Sequence, residues 1–356
     1  MMNDAKKTMD FLRVQCLQYP ALQLQDLYKA LYQSARGCGH LIHDASAAAA
    51  YIRTEAANAP TAPALTERLD GDYSRIYLTA LHTGLSADTL AHMMQCSAAP
   101  VPDGEARLRE KLNALSGAAE GGMLPFSAAE TAEAIQQWSA AGYPACHHSE
   151  AYRAAYRPAY RVVHHAFADA LPLLAAIDRM LAERPTVTLA IEGSSAAGKS
   201  TLADRLAQVY GATVFHMDDF FLRPEQRTAE RYAEPGGNVD RERFLREVLL
   251  PLANGQTVAY RRFNCADWTL QEPVMMQPGR LNIVEGAYSM HPELAAQYDL
   301  SVFLQVEPEL QRRRILRRNS PEQAERFFTD WIPLEAKYFA AMHPADRCTL
   351  TLTQTE

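Results

Sequence analysis

Residues 191–202 read IEGSSAAGKSTL, in which Gly193, four residues, then Gly198, Lys199 and Ser200 give the spacing G-x-x-x-x-G-K-[ST]. A loop of this kind binds phosphate only if a buried strand leads into it and a helix leads out, so that backbone N–H groups and a helix N-terminus converge on one anion. Both neighbours are legible. TVTLAIEG before the loop is short, apolar and β-branched, and KSTLADRLAQVYG after it places Leu202, Leu206 and Val209 on one face, with Gly211 as a stop. The loop Gly193, Ser194, Ser195, Ala196, Ala197, Gly198, Lys199, Ser200 is therefore expected to cradle the phosphates of ATP. Lys199 would reach the β- and γ-phosphates and Ser200 would put its hydroxyl on Mg²⁺, with Thr201 assisting.

Strand-like runs continue beyond the loop as ATVFHM (212–217), RLNIVEG (280–286), LSVFLQV (300–306) and CTLTLT (348–353), alternating with helical stretches. That alternation predicts a parallel sheet with crossover helices. Among the helices, NVDRERFLREVLLPLANG is expected to open at Asn238. Residues 4–183 read differently: Ala-rich helical segments, one of them LQDLYKALYQSARG, broken at 58–66, 97–105 and 117–126 by Pro and Gly, with no convincing strand. The expected organisation is an all-α domain over 1–183 followed by an α/β P-loop kinase domain over 184–356.

A formal charge of −7 argues against nucleic acid or an anionic membrane as partner. Without a run of ~20 apolar residues or a signal-type N-terminus, and with six scattered cysteines, a cytoplasmic protein is expected. The nucleotide's role follows by elimination. Neither D-x-x-G nor N-K-x-D occurs after the loop, which disfavours a GTPase switch, and no apolar strand ends in Asp-Glu, which disfavours a motor. Phosphoryl transfer to a small acceptor remains, and it needs a base and cations. Asp218 and Asp219, at the end of the 212–217 strand, offer the base. On extended backbone their side chains diverge, so one alone can face the acceptor. VEPELQRRRILRRN offers cations on a helix, with Arg314, Arg317 and Arg318 on one face.

GSSAAGKS, DDFF, IVEG and the Arg-rich helix, in this order, resemble the phosphoribulokinase and uridine kinase family, including the nicotinamide riboside kinases, over roughly residues 185–345. The resemblance implies that Asp218 is the general base and that Glu285 helps to hold Mg²⁺, with Asp219 reaching metal-bound water or a backbone N–H. It likewise implies that the Arg-rich helix is a lid closing over phosphates and that Asp240 grips sugar hydroxyls; a helix first-turn role for Asp240 stands beside that reading. Where uridine kinases carry Tyr-Asp this chain has Phe263-Asn264, and the histidine expected next is missing with Trp268 nearby, so an aromatic stack on Phe263 or Trp268 is what remains for recognition. The activity implied is ATP- and Mg²⁺-dependent phosphorylation of a nucleoside-like or other polyol hydroxyl. A nucleotide-sensing protein whose P-loop domain controls the helical half is the contrasting reading.

No family accounts for the N-terminal half. Cys38, His40 and His43, with Cys146, His147 and His148, are candidate zinc ligands at spacings that match no zinc framework. Tyr152, Tyr156, Tyr160 and Arg153, Arg157, Arg161 recur every four residues as two helical stripes, interrupted by Pro158, which predicts a kink or a new helix start. A specificity module, a second catalytic domain or a homo-oligomer contact are the roles left open.

Overall fold

The computed structural model describes residues 2–98 and 103–355; part of the expected break at 97–105 lies outside the described residues. Two compact units make up the chain, Met1–Ala175 and Ala176–Glu356, and the helix Leu171–Glu183 runs across the division.

The first unit is helix-rich as expected. Its helix Leu24–Arg36 ends at Gly37, whose φ of +63° is the left-handed stop that glycine permits. Leu27 and Leu31 of this helix are fully buried in a core with Leu12, Leu108, Leu112 and Leu115. The expectation of no strand here is corrected by a three-stranded antiparallel sheet in the order β1 (Thr66–Arg68), β2 (Tyr73–Tyr77), β3 (Tyr160–His164). Residues Tyr73 to Ile76 are buried without alternation, so β2 lacks the period-two signal of a half-buried strand. The legible cue was Asp70-Gly71, a hairpin dipeptide with Gly71 at φ +119°. The Tyr/Arg stripes also part company. The helix Glu150–Tyr156 stops at Arg157 in left-handed geometry, and after Pro158 the chain becomes β3, so Tyr160 and Arg161 lie on a strand and not on a helical face.

A buried polar network fastens these pieces. Arg75 is 1% exposed, pairs with Glu67 at 3.1 Å and lies over the Tyr160 ring at 4.6 Å. Asp26 accepts from Gln23 N, Ser149 N, Ser149 Oγ and His148 Nδ1. Burial alone would push the Asp26 carboxyl up, but the hydrogen bonds from His148, Ser149 and Gln23 outweigh it and hold it below its usual value. Burial holds His148 down as well, so the pair is a carboxylate and a neutral imidazole that donates from Nδ1 and accepts the Tyr160 hydroxyl at Nε2, 2.5 Å away. His40 is bonded to Tyr32 Oη at 3.0 Å. Among the described residues no group of three or more His, Cys, Asp or Glu could hold a metal ion.

The second unit is a five-stranded parallel sheet in the order β10-β9-β4-β8-β5. Its strands are β4 (Val187–Gly193), β5 (Thr213–His216), β8 (Leu281–Glu285), β9 (Leu300–Val306) and β10 (Leu350–Gln354), close to the expected runs. From β4 the chain builds β5 and β8 on one side, then crosses to β9 and β10 on the other. The C-terminal end of β4 is therefore the topological switch point, where ligands bind in such sheets. Between β5 and β8 stands an antiparallel hairpin, β6 (Val258–Asn264) and β7 (Thr269–Met276). The helical stretch before it opens at Asp240, whose side chain accepts from Arg243 N; this corrects the expected start at Asn238. No helix of the described residues is long and apolar enough to cross a membrane.

Replacing Asp26 by alanine leaves four donor groups facing an empty buried site and should cost about 3 kcal/mol of stability. Urea denaturation followed through Trp138 should show it, whereas Asp88→Ala, which removes an exposed ion pair with Arg53, should leave the midpoint almost unmoved.

Candidate active site

The end of β4 sets the geometry. Gly193 has φ +148°, and a Cβ there would stand 2.7 Å from the Leu304 carbonyl oxygen of β9, so only glycine fits. Ala196 at φ +59° and Gly198 at φ +96° turn the loop into the helix Lys199–Tyr210. Gly286, directly after β8, meets a second close approach: its Cβ would lie 2.5 Å from Met217 Cβ. That contact packs the end of β8 against the turn after β5.

Beneath the loop lies Glu192, fully buried, which sequence reasoning treated as a strand residue. Its carboxylate accepts Gly193 N at 2.8 Å, Tyr288 N at 3.2 Å, Met290 N at 3.0 Å and the Tyr338 hydroxyl at 3.1 Å. Burial pushes the Glu192 carboxyl up to about 7 against these four donors. Tyr288 takes a strained φ of +74° beside it. Glu335, also missed, comes from the helix Ile332–Met342 and accepts both Ser195 N at 2.9 Å and Ser195 Oγ at 2.6 Å. A carboxylate on a loop amide shows the loop's preference for anions. No local signal marked Glu335, because its partner lies 140 residues earlier.

Lys199 Nζ donates to the carbonyls of Gly193 and Ser194, both at 2.9 Å. Ser200 Oγ donates to Glu285 Oε1 at 3.2 Å, and His216 Nδ1 meets the same oxygen at 2.6 Å. His216, the last residue of β5, was not singled out from the sequence. The hydrogen bond that its Nδ1 donates to Glu285 raises it above the usual imidazole value. Asp218 sits in a 3₁₀ turn, Met217–Phe220, instead of on extended backbone. Its side chain is exposed, yet protein crowds it enough for desolvation to raise its carboxyl, with Lys199 opposing and Glu285 adding. Asp219, expected on metal-bound water or a backbone N–H, instead faces the hairpin, where Oδ2 accepts the Tyr260 hydroxyl at 2.9 Å and lies 3.3 Å from Arg262 Nε.

The remaining expected residues fall into two groups. Of the lid arginines, Arg314 reaches the loop through the Ala196 carbonyl at 3.2 Å, while Arg317 is exposed and Arg318 lies 5.8 Å from the Phe327 ring. Gln311, one turn earlier, adds a bond to Ser195 O at 2.9 Å. On the other side, Asp240 is buried and its second oxygen accepts Gln226 Nε2 at 2.9 Å. It lines a cleft of about 360 Å³ with Arg223, Gln226, Arg231, Glu242 and Arg246. Between Phe263, which is buried, and Trp268 stands the Arg227 guanidinium, 5.7 and 3.9 Å from their ring centres.

The site thus gathers a phosphate loop, a lysine, a serine hydroxyl, two carboxylates and a sheet-end aspartate at one switch point. Residues 188–326 match the model of the Phosphoribulokinase / Uridine kinase family. Solved structures that resemble the chain include one described as a possible uridine kinase from Bacillus stearothermophilus, with 19% identity over 51% of this chain and 98% of that one and a TM-score of 0.38. Another is TT1252 from Thermus thermophilus, with 17% identity over 49% of this chain and 91% of that one and a TM-score of 0.27. No curated protein matches the sequence.

Mg²⁺ holds few protein ligands and keeps water and phosphate oxygens for the rest. The hard oxygens of Ser200 and Glu285 beside the loop fit that demand.

Glu192 yields a pH prediction. Its folded value lies above that of a free carboxyl, so the native state holds the extra proton and stability is lost as pH rises toward and through about 7. His216, also raised, contributes with the same sign. The thermal midpoint of the C-terminal unit should therefore climb as pH falls from 8 to 5.5, and Glu192→Gln should flatten most of that slope; an unchanged slope would remove Glu192 as its source.

Proposed function

We propose that the protein transfers the γ-phosphoryl group of ATP to a hydroxyl of a small molecule, a polyol or nucleoside-like acceptor, in an Mg²⁺-dependent reaction. The observation that carries this reading is the glycine loop with Lys199, the Ser200–Glu285 pair at 3.2 Å beside it and Asp218 in the turn after β5, a carboxyl that desolvation raises. A base with a raised value is better matched to a hydroxyl proton than an ordinary carboxylate.

In this reading the loop amides and Lys199 hold the polyphosphate, and Lys199 leaves its two carbonyl partners to follow charge onto the transferring group. Ser200 and Glu285 would hold Mg²⁺, which would supply charge neutralisation to the transferring phosphates. Asp218 accepts the proton of the acceptor hydroxyl while that oxygen bonds to the γ-phosphorus and the bond to the ADP oxygen breaks. Asp219, tied to Tyr260 and Arg262, fixes the hairpin against the base and keeps Asp218 in its orientation. Arg314 steadies the loop, and Arg317 and Arg318 are the arginines a moving lid would bring in. Asp240 lines the acceptor side, where its own hydrogen bonds set the cleft floor.

The test is an acceptor screen: ATP, Mg²⁺ and a library of nucleosides, sugars and hydroxy acids, with ADP followed by a coupled assay. Lys199→Ala should lower turnover by orders of magnitude with the fold retained, and Asp218→Asn should lower it ~10²-fold or more while ATP still binds. Asp219→Asn should do less damage. The acid limb of kcat/KM should lie above the ordinary carboxylate range, because the base must be ionised and Asp218 is raised. ATP binding with no acceptor-stimulated ADP would instead favour a nucleotide-sensing regulator.

A further inference from the structure

We infer that the helix Ile332–Met342 couples the two ligand sites of the second unit. Glu335 is the positioning residue that ties it to the phosphate loop, and Lys337 with Tyr338 ties it to one wall of the Asp240 cleft, so that a nucleotide on the loop steadies the cleft for the acceptor. The word acceptor rests on the kinase reading above; the coupling itself rests on the contacts of one helix.

Ser195 of the loop is held from both sides. Its N–H and Oγ donate to Glu335 at 2.9 and 2.6 Å, and its carbonyl accepts Gln311 Nε2 at 2.9 Å. Glu335 is buried, so these bonds are shielded from competing water and fix the helix against the loop. Three residues on, Tyr338 is fully buried and donates to Glu192, the carboxylate that also holds Gly193 N at the start of the loop. The helix thus stands on the loop through Glu335 and Tyr338, one turn apart. Whatever immobilises the loop immobilises the helix.

The same helix supports the cleft wall from behind. Lys337 Nζ donates to the Tyr232 carbonyl at 3.3 Å and to the Ala233 carbonyl, both in the last turn of the short helix Ala229–Ala233, where a cation also meets the negative end of the helix. Gly236 lies so close to the Tyr338 ring that a Cβ there would stand 3.2 Å from it. Arg231, in the middle of the short helix, lines the cleft beside Asp240 and Gln226 and donates to the carbonyls of Gly237 and Val239 and to Glu242. The wall then runs into the turn that carries Asp218: Val239 bridges to Phe221, and Asp240 N donates to the Phe220 carbonyl at 2.7 Å. Loop, helix, wall and turn are therefore linked by direct contacts. A phosphate that immobilises Ser195 restrains residues 229–237 without touching them, and by reciprocity an acceptor on the wall tightens the nucleotide.

The experiment follows amide hydrogen exchange of residues 229–237 in the full chain, with and without saturating ADP and Mg²⁺, and needs no acceptor. ADP should slow exchange in that segment about five-fold or more. Lys337→Met, at an exposed position that touches the wall and not the loop, should bind ADP as the wild type does and lose the protection. Glu335→Ala should lose it as well, and Glu335→Gln, which keeps an acceptor for Ser195 N, should recover most of it. A role in stability alone would lower the unfolding midpoint of these variants and leave the ADP-induced protection in place. No change at 229–237 when ADP is added to the wild type, or protection that persists in Lys337→Met, would overturn the inference. Failure of the kinase reading looks different. Protection that depends on Lys337, with no acceptor in the screen raising ADP release, keeps the coupling and removes that reading. Phosphoryl transfer with the same acceptor KM in Lys337→Met and wild type, and an unresponsive 229–237 segment, does the reverse.

Discussion

The second unit depends on a buried carboxylate. Glu192, the last residue but one of β4, has no exposure to solvent and gathers four donors from the loop, from the segment after β8 and from the helix Ile332–Met342. Each donor would be costly to bury alone, so the carboxylate dictates where Gly193, Tyr288, Met290 and Tyr338 must stand. The phosphate loop takes its starting position from that arrangement. Gly193 then passes under the Leu304 carbonyl at a distance that excludes any side chain.

Around this anchor the charges alternate. Lys199 bridges two loop carbonyls, Glu285 holds Ser200 and His216 on one oxygen, and Asp218 stands beyond them where burial and neighbouring carboxylates raise it. Glu335 on Ser195 shows that a loop amide already takes a carboxylate from the chain itself. The same amides and lysine would meet phosphate with no rearrangement of the sheet. On the Arg-rich helix Arg314 touches the loop while Arg317 stays in solvent.

Much of this was legible because its signals are local. The glycine loop, the strand before it and the helix after it lie within about two dozen residues, and Asp218, Glu285 and Arg314 each sit beside a strand end or on a periodic helix. Glu192, Glu335 and His216 escaped notice because their meaning comes from partners 69 to 146 residues distant. In the first unit β2 was invisible for a related reason: Ser74 and Arg75 are buried polar residues, and the partners of Arg75, Glu67 and Gln33, lie on other elements, so the strand shows no alternation. Pro158 announced a break in the Tyr/Arg stripe, but the change from helix to strand follows from pairing with β2, which no local pattern states.

The central claim is that Asp218 directs phosphoryl transfer to an organic hydroxyl. It is tested most directly by following the label of γ-³²P-ATP in a single turnover with an acceptor identified by screening. The account predicts label in an acid-stable phosphomonoester for the wild type, and its disappearance in Asp218→Asn with ATP binding intact. Label released only as inorganic phosphate, or an unchanged phosphomonoester yield from Asp218→Asn, would contradict it.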